Sequence, residues 1–243
     1  MAADRGSAVV TPERFASGMT FEQYMAFIGT PENLAREAGW WRGPERMDWS
    51  GPLRTWYGGL RLHDHQVEAI RWLAAQPSGP AKILVISEEW SSDCRRAVPT
   101  LARLAEAGAL ELRIFPRDGV NVGRESRANP ADSPNADLMN EFLGERDGRT
   151  YQSIPVVVFC TREMEYLYHF TERPAIYHPD RLSGAMRASR SGETAEETWE
   201  RFMREWAAMQ RSPFFKVWAF AGIDEMLSGL YERISLGRAA NCE

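Results

Sequence analysis

Cys94 closes a short polar stretch, Trp90-Ser91-Ser92-Asp93-Cys94, that follows directly on the apolar run at 83–86. A strand that ends in Trp and leads through small polar residues to a Cys is where a dithiol site would sit. A thiol at the start of a helix meets unpaired N–H groups and the positive end of the helix dipole, which favour the nucleophilic thiolate. Arg95 and Arg96 beside Cys94 would act in the same direction, and Asp93 against it. One of the two sulfurs expected there is a serine, so the stretch reads as a single reactive thiol or as a buried residue left over from a dithiol site.

The elements that must position this stretch are legible around it. The segment 82–87 reads as a strand, and 91–107 as a helix with Val98, Leu101, Leu104 and Ala105 on one side. Residues 110–115 form a second strand, and 137–143 a short helix. The run "IPVVVFC" at 154–160 is a third strand, joined by a tight turn to a fourth at 163–170. Early strand–helix–strand spacing and a late hairpin imply a mixed sheet, parallel first and antiparallel at one edge. Before it, Thr20 caps a helix from 19 to 38 that Pro31 interrupts or restarts, 62–75 is helical, and 1–17 reads as a loose leader. Residues 40–60 mix Trp with Gly and Pro and read as irregular chain pinned by aromatics. Amphipathic helices follow at 195–211 and about 214–234.

A strand ending in Trp90, Ser91-Ser92-Asp93-Cys94 opening a helix, Pro99 five residues after the Cys, and Ile154-Pro155 heading a later strand together resemble the thioredoxin fold. The stretches "LVISEEWSSDC", "NADLMNEFL" and "SIPVVVF" are similar to a group of bacterial thioredoxin-like proteins of poorly defined role. The resemblance covers roughly 80–175. It implies a thioredoxin-like α/β domain at 78–175, with helical extensions at 1–77 and 176–243 packing on the same unit. It also implies that Pro155 is cis and faces the Trp90–Cys94 stretch, leaving the backbone before the proline free to pair with an extended ligand.

By the same resemblance, Ser91 stands where the attacking sulfur belongs, and Cys94 holds the resolving position. A serine hydroxyl is no redox atom, and capping the helix is the task it suits. Dithiol cycling then needs a second Cys near Cys94. Cys160 lies about 16 Å from Pro155 along its strand at ~3.3 Å per residue, too far for a disulfide. Cys242, on the tail, could reach.

The remaining candidates are weaker. Glu88 and Glu89 are proton carriers in a cleft or, more simply, solvated carboxylates at a strand end. His63 and His65 point in different directions and lack a third ligand, so no metal is expected. Without a Gly-rich phosphate loop or a Cys-x-x-Cys pair, no cofactor is expected either. The loop at 117–136, with Arg117, Arg124 and Arg127, is a lid, an anion site or a plain excursion. The stripe Trp199, Phe202, Trp206, Phe214, Phe215 and Trp218 packs the C-terminal helices on the sheet or forms a homodimer interface.

Bulk composition narrows the partners. The net charge is −5, and the 29 basic residues form no continuous run, which argues against nucleic acid. Three cysteines without paired spacing exclude a secreted disulfide framework. No segment reads as a signal peptide or a membrane span, so a cytoplasmic protein is expected. Two function classes follow. The first is a non-catalytic binding or scaffold protein that uses the cleft formed by Trp90, Ser91, Cys94, Ile154 and Pro155. The second is a monothiol oxidoreductase in which Cys94 attacks a small disulfide or electrophile and a low-molecular-weight thiol resolves it, the partner being a protein or a low-molecular-weight thiol or disulfide.

Overall fold

The computed structural model describes residues 10–39 and 46–237. Three threonines start the first three helices, each accepting a hydrogen bond from the N–H three residues on: Thr11 at α1 (Pro12–Ala16), Thr20 at α2 (Phe21–Phe27) and Thr30 at α3 (Pro31–Leu34). The loose-leader expectation fails within the described part of 1–17, because Val10 and Phe15 are apolar anchors buried against the sheet. Pro31 takes the first position of α3, where its missing N–H costs nothing. The irregular stretch expected at 40–60 is also corrected. Residues 40–45 lie outside the described residues, and α4 (Ser50–Gly59) follows. Pro52 falls in its first turn and Gly58-Gly59 at its end, so residues that read as helix breakers mark the helix boundaries instead. Next comes α5 (Asp64–Ala74).

β1 (Lys82–Ser87) is an unbroken apolar run because it lies inside the sheet, covered on both faces. α6 (Ser92–Gly108) crosses over to β2 (Glu111–Pro116), which pairs parallel with β1. A loop leads to α7 (Ala136–Glu141) and to a hairpin, β3 (Gly144–Arg146) and β4 (Arg149–Tyr151). Its turn, Asp147-Gly148, has positive φ at both residues, as a tight two-residue hairpin turn requires. β5 (Val156–Cys160) and β6 (Tyr166–Thr171) complete a four-stranded sheet of order β2-β1-β5-β6, with β5 antiparallel to both neighbours. Then follow α8 (Pro179–Arg187), α9 (Ala195–Gln210) and α10 (Phe214–Leu236).

Alternate strand residues face opposite ways, so the sheet has two cores. Ile83, Val85, Ile114, Val157 and Phe159 pack under α2, α5, α6 and α10. Leu84, Ile86, Val156 and Val158 pack with Phe15 of α1 and with Leu138 and Met139 of α7. Among the C-terminal helices, α10 packs on α6, α5 and β6, whereas α9 rests chiefly on α8 and α10. The aromatic stripe of α9 is therefore not sheet packing. Phe202 is buried, and Trp199 and Trp206 turn toward a groove described below.

Candidate functional site

Strand register brings the two predicted halves of the site to one end of the sheet. Ile86 of β1 pairs with Val156 of β5, so the residues after β1 run beside Ile154 and Pro155. The Ile154–Pro155 peptide is cis. Cys94 and Ile154 share one buried cluster, with Trp90 packed against it. Cys160 sits at the opposite end of β5, paired with Lys82, and Cys242 lies outside the described residues. Cys94 and Cys160 are both free thiols.

The site is closed. Cys94 is 1% exposed, and Ser91, Ile154 and Pro155 are buried with it. Burial pushes the Cys94 thiol up from about 9 to about 11, although hydrogen bonds from Ser87, the Glu88 N–H and Ser91 favour the thiolate. The Glu88 N–H donates to Cys94 Sγ at 3.4 Å. The lowered pKa of the reactive-thiol reading is contradicted, because burial outweighs the neighbouring charges, and both guanidiniums are engaged elsewhere. Arg95 Nη1 donates to the carbonyls of Glu89 and Trp90, and its guanidinium stacks 3.9 Å over Trp49. Arg96 pairs with Asp93 and lies 4.3 Å over Tyr177. Ser91 occupies the N-cap of α6 but makes no side-chain capping bond, contrary to expectation.

Glu88 and Glu89 are each 1% exposed, which overturns the reading of solvated carboxylates at a strand end. The N-terminal segments supply their cations. Arg36 Nη2 donates to Glu88 Oε1 at 2.7 Å, and Arg46 Nη1 donates to Glu88 Oε2 at 2.7 Å and Glu89 Oε1 at 2.8 Å. Asn33 Nδ2 adds a bond to Glu89 Oε1 at 3.0 Å, and the Asp118 N–H one to Glu88 Oε1 at 2.8 Å. Burial, reinforced by the Asp118 charge, holds Glu88 above the usual carboxylate range against the pull of Arg36 and Arg46. Asp118 also accepts from Arg117 Nε at 2.8 Å and from Trp90 Nε1 at 3.0 Å, so the indole is fixed by one edge. Beneath its face lies Gly39, where a Cβ would stand 2.3 Å from Trp90.

The loop at 117–136 begins in this cluster. Arg117 is buried and donates to the Gln152 carbonyl at 2.7 Å, while Arg124 pairs with Glu37. Arg127 is exposed. His63 stacks on His65 and Phe220, and the described residues hold no cluster of three or more metal-ligating side chains.

Sequence reasoning missed Arg36, Arg46, Asn33 and Asp118. The available signal was Glu88-Glu89 itself: two carboxylates continuing an unbroken buried strand require cations, although nothing in the order of residues says which. It also missed a groove beside the site. About 900 Å³ of space opens between α4, α9 and the first turns of α6 and α10, walled by Trp49, Trp56, Trp90, Trp199, Trp206 and Phe215.

The thioredoxin family model matches residues 46–123, less than half of the chain, and supports a thioredoxin-like family. The match spans β1, α6 and β2 and stops before Ile154–Pro155. No curated protein matches the chain. Among solved structures, a protein of unknown function from Pseudomonas aeruginosa is similar, with 18% identity and a TM-score of 0.50 over 91% of this chain and 97% of that one. An HIV epitope scaffold is also similar, with 18% identity and a TM-score of 0.48 over 91% and 98% of the two chains. No helix of the described residues is long and apolar enough to cross a membrane. The fold is thioredoxin-like: a mixed four-stranded sheet flanked by helices.

Proposed function

We propose that this chain is a non-catalytic binding protein built on the thioredoxin fold. The observation that carries the reading is the state of Cys94: 1% exposed, its thiol pushed up to about 11, with a serine in place of a partner sulfur. A monothiol oxidoreductase needs a thiolate that can reach a disulfide, and a thiol with that pKa is almost wholly protonated at neutral pH. The residues that would offer a cleft are occupied by the protein itself. Arg36 and Arg46 fill the space in front of β1, and Ile154 is core. The cleft has become an interior, and binding belongs to surface beside it.

The test is glutathione-driven reduction of insulin disulfides by the intact chain and by Cys94→Ala. The expected result is no difference between the two. A rate present in the intact chain and lost in Cys94→Ala would establish the monothiol activity instead.

A further inference from the structure

The groove beside Trp90 is unlike the rest of the molecule in its charge. The chain as a whole carries −5, yet the described residues that line the groove include Arg46, Arg95, Arg211 and Lys216 and no Asp or Glu. Arg46 is neutralised by Glu88 and Glu89. The other three have no carboxylate within 4 Å among the described residues, although sixteen ion pairs form among the described residues outside the groove lining. Arg95 is the most constrained of them. Its Nη1 bonds to two carbonyls, while Nε and Nη2 make no hydrogen bond among the described residues. Burial depresses its pKa to about 10, and the Glu89 charge offsets this only in part. Lys216 lies 5.4 Å over the Trp56 ring, and Arg211 is exposed.

Backbone geometry adds to this field. α6 and α10 bring their first turns to the groove, while α4 and α9 lie along it, α9 from Trp199 to its C-terminal Gln210, so two positive dipole ends meet one negative end. The walls are mostly tryptophan, which offers flat apolar faces. The volume, about 900 Å³, lies within the ~300–1,000 Å³ common for small-molecule sites. Trp56 Nε1 and both polar atoms of the Gln210 side chain are buried without hydrogen-bond partners there.

We propose that this groove binds an aromatic carboxylate, its flat apolar body held between the tryptophans and its negative charge on Arg95. The proposal rests on the non-catalytic binding reading and names the ligand class it lacked. An aliphatic acid would satisfy the cation but not the stacking faces, and a neutral aromatic would leave Arg95 uncompensated.

Calorimetric titration of the full chain with 2-naphthoate, 2-naphthylmethanol, 2-naphthylmethylamine and decanoate tests it. Naphthoate is expected to bind one-to-one, about tenfold tighter than the neutral alcohol, the usual scale of a charge-assisted hydrogen bond. The cationic amine is expected not to bind, and decanoate to bind more weakly than naphthoate. Arg95→Met should reduce naphthoate affinity about tenfold and leave the alcohol unchanged. Lys216→Met, altering an exposed side chain, supplies a second variant if Arg95→Met does not fold; about a threefold loss for naphthoate alone is expected.

Equal affinity for acid and alcohol, or no naphthoate binding, overturns the proposal, as does a dimer in sedimentation that naphthoate fails to dissociate. Failure of naphthoate with an insulin assay independent of Cys94 removes the ligand class and leaves the binding reading intact. A Cys94-dependent insulin rate with naphthoate still bound does the reverse.

Discussion

Two neighbouring regions share Trp90 and Arg46 and treat charge in opposite ways. On one side, Glu88, Glu89 and Asp118 are buried against Arg36, Arg46 and Arg117, and the formal charges cancel within the protein. On the other, Arg95, Arg211 and Lys216 face a tryptophan-walled groove with no acidic residue among its described lining. The first region uses its polar groups to close itself, and nothing remains there for a substrate. The second leaves positive charge unanswered beside open volume, which is how a site looks before its ligand arrives.

The largest expected effect is on the closed side. Arg46→Met leaves Glu88 and Glu89 buried without their shared cation and should lower stability by about 3–5 kcal/mol, read by urea denaturation. A change below about 1 kcal/mol would mean the cluster is hydrated and the cleft open.

Alkaline pH acts next. Cys94 is held neutral in the fold up to about 11, whereas a free thiol titrates near 9. The unfolded chain therefore loses its proton first. This contribution is whole below about pH 9 and disappears as pH rises toward 11, with a slope of ~1.4 kcal/mol per unit. Cys160 and Tyr168, each pushed up to about 12, and the buried Tyr24 add slopes of the same sign, so Cys94→Ala should flatten the decline in part, chiefly between about pH 9 and 10.

Gly39→Ala tests the shared wall. Its new Cβ would overlap the Trp90 ring, and a loss of ~1–3 kcal/mol is expected in thermal melts, together with weaker naphthoate binding. Full retention of both would show that Trp90 moves freely between the two regions. The smallest stability effect belongs to the groove: Lys216→Met should change stability by less than ~0.5 kcal/mol while weakening naphthoate. A larger loss would give Lys216 a structural partner and weaken the contrast.

The contrast also explains what the sequence could and could not reveal. β1 and α6 were legible because an unbroken apolar run and a one-sided helix each have a single good reading, and the Ile-Pro at 154–155 marked the strand that meets them. The β3–β4 hairpin carried a readable signal in Asp147-Gly148 that went unused. α8 offered only a short stripe, Leu182 and Met186, and none of its residues is buried. α4 was obscured by Gly and Pro, whose meaning depends on which helix position they occupy. The candidate stretch 90–94 was found, but the choice between a reactive thiol and a buried one stayed open because burial is a tertiary property. Arg36 and Arg46 lie 52 and 42 residues from Glu88, and local order cannot announce such pairings. The groove was hidden for the same reason, since Trp49 and Trp56 meet Trp199 and Trp206 only in the folded chain.

The most direct test is alkylation of Cys94 by iodoacetamide, followed by peptide mass spectrometry across pH, in native and urea-unfolded chain. The thiol should stay unlabelled in the native protein through pH 9 and react at once on unfolding. Rapid native labelling with a midpoint below about 9, where a free thiol titrates, would contradict a sealed sulfur and return the site to redox chemistry.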